Sequence, residues 1–172
     1  MHSSLRLGAL ALSLAFSALS VQAQQAPARA PAVRTERNLS LELANQIATA
    51  TVAACAANGY AVAATVVDRA GVVRAVQRAD TAGTHTLAAS ERKAWTSASA
   101  KNTTQAMMQG AQSNPAGANL VYLPGFLLLG GGVPVKVGNE VIGAVGVGGA
   151  PGGHLDEQCA NAGIEKVKAQ LG

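Results

Sequence analysis

Aromatic side chains are nearly missing from this chain: one Trp, two Tyr and two Phe in 172 residues. Single-stranded nucleic acid is usually gripped by rings interleaved with basic residues along a stripe or groove. Here the basic residues are scattered, and from Gln24 onward twelve Lys and Arg face nine Asp and Glu. That balance leaves no nucleic-acid footprint. Recognisable catalytic motifs are missing as well. There is no Gly-x-Ser-x-Gly elbow, no His-Glu-x-x-His helix, no Cys-x-x-Cys and no Gly-Lys-Ser/Thr phosphate loop. Asp156 and Glu157 are adjacent carboxylates, but neighbours on a helix point in different directions and cannot flank one bond. Catalysis therefore has no constellation to rest on, and whether the protein is an enzyme is left open, leaning against.

Long apolar runs are also lacking, with one exception at the start. MHSSLRLGALALSLAFSALSVQA has a single basic residue, Arg6, an apolar run from Leu7 to Leu19, and small residues before Gln24. This three-part pattern is that of a secretory signal peptide, residues 1–23, cleaved after Ala23. The run of about a dozen residues is short for the roughly 20 that span a bilayer. A periplasmic or secreted protein without membrane insertion is the expectation. Residues 24–37, rich in Ala, Pro and Gln, have no periodicity and read as a disordered leader. The folded domain is then 38–172.

Within it the apolar residues are mostly Ala and Val, with many glycines, a composition for close packing and for burying surface against other subunits. Ser40 is placed to cap a helix running to Asn58, with Leu43, Ile47, Ala50 and Ala54 as its apolar stripe. Ala61 to Ala79 reads as a hairpin turning at Asp68-Arg69-Ala70-Gly71. From Thr86 a helix with a small-residue face runs to Lys101-Asn102, and Thr103 or Thr104 caps a short second one. Phe126–Leu129, Gly132–Val137 and Glu140–Val147 read as strands, the last two joined by a tight turn at Gly138-Asn139. His154 to Leu171 reads as a closing helix. The order predicts an α+β fold: an antiparallel sheet of about five strands with helices packed on it.

The glycines of LLLGGGVPVKVGNEVIGAVGVGGAPGG, Leu127 to Gly153, do not form a dinucleotide fingerprint. Counting on from Gly146 and Gly148, the third position is Pro151. Strand glycines instead make room for another backbone or a flat ligand to lie close. Cys55 and Cys159 fall on the first and last helices. They are either two buried thiols or, in an oxidising compartment, a clamp between those helices.

Five short motifs occur in order: Leu41-Glu42-Leu43-Ala44, Val66-Val67-Asp68-Arg69-Ala70-Gly71, Lys93-Ala94-Trp95-Thr96, Gly131-Gly132-Val133-Pro134, and Val141 to Gly149. With these the chain from Leu39 to Leu171 resembles the GlcG/HbpS family of haem-binding-type domains, also found fused to some corrinoid adenosyltransferases. Between Asp80 and Lys93 its wording departs from the commoner form of the family. The resemblance implies a profilin-like fold, homo-oligomers, and haem or a similar tetrapyrrole as a ligand between subunits. It makes an exported small-molecule-binding protein the expectation, serving transport, storage or redox sensing. A small-metabolite enzyme with its site at the subunit boundary, or a ligandless assembly module, are the alternatives.

If haem is the cofactor, neutral imidazole is the usual protein ligand to its iron. His85 and His154 are the two histidines beyond the leader, and His85, just before the Lys-Ala-Trp-Thr helix, is the candidate ligand. Arg92 and Lys93 are candidates for the propionates, Trp95 and Thr96 for the pocket wall, and Gly131 and Gly132 for the strand surface against which a macrocycle would rest. Tyr122 and the pair Met107 and Met108 are second-rank ligands, expected to be buried instead.

Overall fold

The computed structural model describes residues 31–172; the expected signal peptide and the start of the leader lie outside them. One compact unit spans Glu36–Gly172, and residues 31–35 before it carry no helix or strand. Among the described residues no helix is long and apolar enough to cross a membrane.

Helix α1, Leu41–Ala57, is capped by Ser40, whose side chain accepts from the Leu43 N–H. The hairpin follows as β1, Ala63–Asp68, and β2, Val73–Arg78, turning on the Asp68 carboxylate, which accepts from the Ala70 and Val72 N–H groups. Helix α2, His85–Ala100, ends at Lys101 in the left-handed region, and Thr103 caps α3, Thr104–Ser113. A 3₁₀ turn, Ala118–Tyr122, leads to β3, Gly132–Val137, and β4, Glu140–Gly148. Helix α4, Gly153–Lys166, and a last 3₁₀ turn, Lys168–Gln170, close the chain.

The sheet is antiparallel throughout, in the order β2-β1-β4-β3. It has four strands among the described residues, not about five. Phe126–Leu129 is not a strand, because its backbone is held by helix side chains rather than by a ladder. The Leu127 N–H donates to Thr96 Oγ1, and the Phe126 carbonyl accepts from Arg92. Both sheet edges discourage further pairing: Pro134 removes a donor from β3, and β2 carries Arg74 and Arg78.

One face of the sheet packs on α1 and α4 through Ile47, Ala48, Val66, Val133, Val135, Val145 and Val147. The buried stripe of α1 is Ala44, Ile47, Ala48, Thr51 and Cys55, rotated one position from the sequence expectation. Alanines are the reason: nearly every position of this helix is compatible with burial, so periodicity alone cannot fix its phase. Cys55 and Cys159 are joined in a disulfide that ties α1 to α4. On the opposite face α2 lies over β1 and β4, with Ala94 and Ala98 on Val67 and Ala144.

Candidate functional site

Helix α2 can approach the sheet because its underside is small and the strands beneath it are bare. A Cβ on Gly146 would run into the Ser90 carbonyl oxygen and the Ala94 nitrogen. One on Gly132 would meet the Lys93 carbonyl and Thr104. The room left by the strand glycines is thus filled by helix backbone. Gly131 and Gly132 are both buried, closely covered by Lys93, Thr104 and Asp156.

Lys93 lies in the middle of that buried underside, 1% exposed. Its ammonium reaches past the sheet at Gly131, whose φ of 121° turns the chain aside. A Cβ there would sit 3.0 Å from Nζ and 2.7 Å from the Asp156 side chain. Lys93 Nζ donates to Asp156 Oδ2 and to the Val147 carbonyl, both at 2.8 Å. The other carboxylate oxygen of Asp156 accepts from the Ala150 N–H at 3.0 Å. Burial pushes the Asp156 carboxyl above its ordinary range, against the pull of Lys93. Both groups of the ammonium–carboxylate pair are buried and hydrogen-bonded inside the chain.

Next to it, Glu157 is also pushed up by burial, opposed by the N–H groups of Gln105 and Gly131 and the Thr103 hydroxyl. Its Oε2 is buried without a hydrogen bond. Thr104 completes the junction: its hydroxyl donates to the Leu129 carbonyl and accepts from the Gly132 N–H.

The rest of the Lys-Ala-Trp-Thr motif fastens the segment after α3. Trp95 meets Phe126 edge-on, with ring centroids 5.7 Å apart. Its ring also packs against Gly71 of the hairpin turn and Gly125. Thr96 is buried and accepts from Leu127; Arg92, exposed, donates to Phe126 at 2.8 Å. Trp95 and Thr96 thus hold Phe126 and Leu127 against α2. His85 and Arg92 are the two members of the predicted set that face outward from α2.

His85 opens α2, its imidazole folded over Gly83, and His154 lies in the same way over Gly152 at the start of α4. Both are exposed at the end of the sheet where β4 leaves it, since Thr86 packs on Gly149 and Gly153 on Gly130. Tyr122 is not buried but 81% exposed, in a row with Leu120, Val121 and Leu123. Met107 and Met108 are half-buried.

Sequence reasoning missed Asp156 as the partner of Lys93, treating it as half of an adjacent carboxylate pair with Glu157. The signal was available: a lysine set among Ser90, Ala94 and Ser97 on a face of small residues needs a counter-charge once that face is buried. An open groove of about 820 Å³ between α1 and α4 is lined largely by alanines and offers no imidazole, thioether or phenol. Among the described residues no group of three or more His, Cys, Asp or Glu is placed to hold a metal ion.

Comparison with known proteins agrees with this architecture. An HbpS double mutant from Streptomyces reticuli superposes with a TM-score of 0.74 at 35% identity, covering 85% of this chain and 98% of that one. The Klebsiella pneumoniae protein ORFY gives 0.75 at 29% identity, covering 83% and 99%. A haem complex of PduOC shares the fold at 0.67 and 22% identity, covering 74% and 94%. No curated protein matches. The family model described as haem degrading protein HbpS-like matches residues 39–165, nearly the whole compact unit, and the chain belongs to that family.

Proposed function

We propose that this protein binds haem at the outer, N-terminal end of α2, with His85 facing the iron. Membership of the HbpS-like family across residues 39–165 carries the reading. The residues present fit the group in one specific way. A porphyrin brings four nitrogens of its own, so the protein need add only one or two ligands, and no protein-built metal cluster is required. His85 offers an exposed imidazole on a fixed helix start. When bound, haem would supply redox-active iron, and the chain would supply the His85 imidazole and the surface around it.

His85 is exposed, whereas ligand sites bury most of their ligand. A second copy of the chain is the natural cover, and the exposed row Leu120, Val121, Tyr122 and Leu123 supports self-association. We read the protein as an exported homo-oligomer with its haem at or near a subunit boundary.

The test is a titration of purified protein with ferric haem, followed by visible absorption. A saturable Soret band is expected; His85→Ala should shift its maximum and weaken binding, with far-ultraviolet circular dichroism unchanged. His154→Ala is the matched control and should do little. Titration curves indistinguishable from haem in buffer would overturn the reading.

A further inference from the structure

With Lys93 withdrawn into the interior, a haem site at His85 needs another cation for the carboxylates on the macrocycle edge. The loop between β2 and α2 supplies one. Arg78, the last residue of β2, donates through Nη1 to the carbonyl of Ala82. The adjacent residue, Gly83, carries the ring of His85: a Cβ on Gly83 would sit 2.7 Å from the imidazole Cε1. Guanidinium and imidazole are thereby set against one dipeptide, Ala82-Gly83, from its two sides in sequence.

Arg78 is exposed and forms no ion pair among the described residues. One of its five N–H donors is anchored, which holds the planar fork in place and leaves the others for a carboxylate. The alternatives are placed less well. Arg92 lies seven residues beyond His85, about 10 Å along the helix at 1.5 Å per residue, and is bent to Phe126. Among the described residues Arg74 makes no ion pair or side-chain hydrogen bond that would fix it. Val76, opposite Thr65 on the α2 side of the sheet, is 47% exposed because α2 does not extend over β2.

We infer that Arg78 binds a propionate of the tetrapyrrole whose iron faces His85, the two side chains forming one site across the β2–α2 loop. The inference rests on the haem reading, and its test separates the two. The full chain, Arg78→Gln and His85→Ala are each titrated with ferric haem, iron-free protoporphyrin IX and ferric haem dimethyl ester. Arg78→Gln should lose about tenfold in affinity for haem and for protoporphyrin, the worth of one charge-assisted hydrogen bond, and nothing for the ester. Arg78→Lys should recover part of that loss. His85→Ala should show the complementary pattern, impaired with both iron porphyrins and unaffected with protoporphyrin. Circular dichroism and elution volume check that each variant is folded. An Arg78→Gln protein that binds haem like the wild type, or that loses the ester equally, overturns the role of Arg78 alone. A wild type that binds none of the three porphyrins overturns the haem reading itself.

Discussion

Lys93 Nζ lies 2.8 Å from Asp156 Oδ2, although the two residues belong to helices on opposite faces of the sheet. The ammonium passes the end of the β3–β4 ladder, where Gly131 leaves room, and takes the Val147 carbonyl on the way. One buried pair thus links the two helical layers. Removing one partner of such a pair leaves an uncompensated charge and costs about 3–5 kcal/mol, whereas an apolar replacement of both is often tolerated. Lys93→Met should therefore lower the unfolding free energy by about that amount in urea titration. Lys93→Met combined with Asp156→Leu should recover most of it. Additive losses would mean that the pair is not the link described here.

The glycines under α2 predict opposite outcomes at two positions. Gly146→Ala forces a methyl into the Ser90 carbonyl and the Ala94 nitrogen, both backbone atoms that cannot step aside. Overpacking of this kind costs about 1–3 kcal/mol or more. Gly110, inside α3, has open space around it, so Gly110→Ala should stabilise by about 0.5–1 kcal/mol through helix propensity. Thermal melts of the two variants should move in opposite directions.

The Cys55–Cys159 disulfide closes a loop with a sequence separation of 104. Loop-closure entropy puts its stabilisation at about 4–5 kcal/mol for a loop of that size, and measured losses for native disulfides run about 2–5. Non-reducing mass measurement should show two hydrogens fewer than the sequence mass. Reduction under conditions that open the buried bond should lower the melting temperature. Two thiols alkylated without reductant would contradict the bond.

Glu157 gives a pH dependence with a definite sign. Its carboxyl is raised in the folded state, so the fold binds this proton more tightly than the unfolded chain does. The contribution is fully present below the ordinary glutamate pKa and is lost as pH rises through the raised folded value. At neutral pH the ionised side chain is therefore a cost that Glu157→Gln removes. The variant should melt higher than wild type at pH 7, and the difference should close as the pH is lowered towards 4. A gap that widens in acid would show that the ionised form is the favoured one.

Much of the architecture was legible in the chain. The caps at Ser40 and Thr103, the Asp68–Gly71 turn, the break at Lys101-Asn102 and the Gly138-Asn139 turn depend on local chemistry, and each lies where the sequence puts it. The five ordered motifs were enough to identify the family. What they did not disclose was which contacts their residues make inside the chain. Lys93, Trp95, Thr96, Gly131 and Gly132 read as a ligand site because polar and glycine-rich motifs mark either ligands or close packing. The choice depends on what lies opposite, across contacts such as Lys93–Asp156, 63 residues apart. The same holds for Phe126–Leu129, whose apolar run fits a strand until Arg92 and Thr96 take its backbone groups, and for the phase of α1, where alanine on every side leaves the buried face undefined. Local propensity fixed the elements of this protein; which faces meet, and hence which charged side chains stay exposed, was decided only by the packing of α2 against the Ala144, Gly146 and Gly148 face of β4.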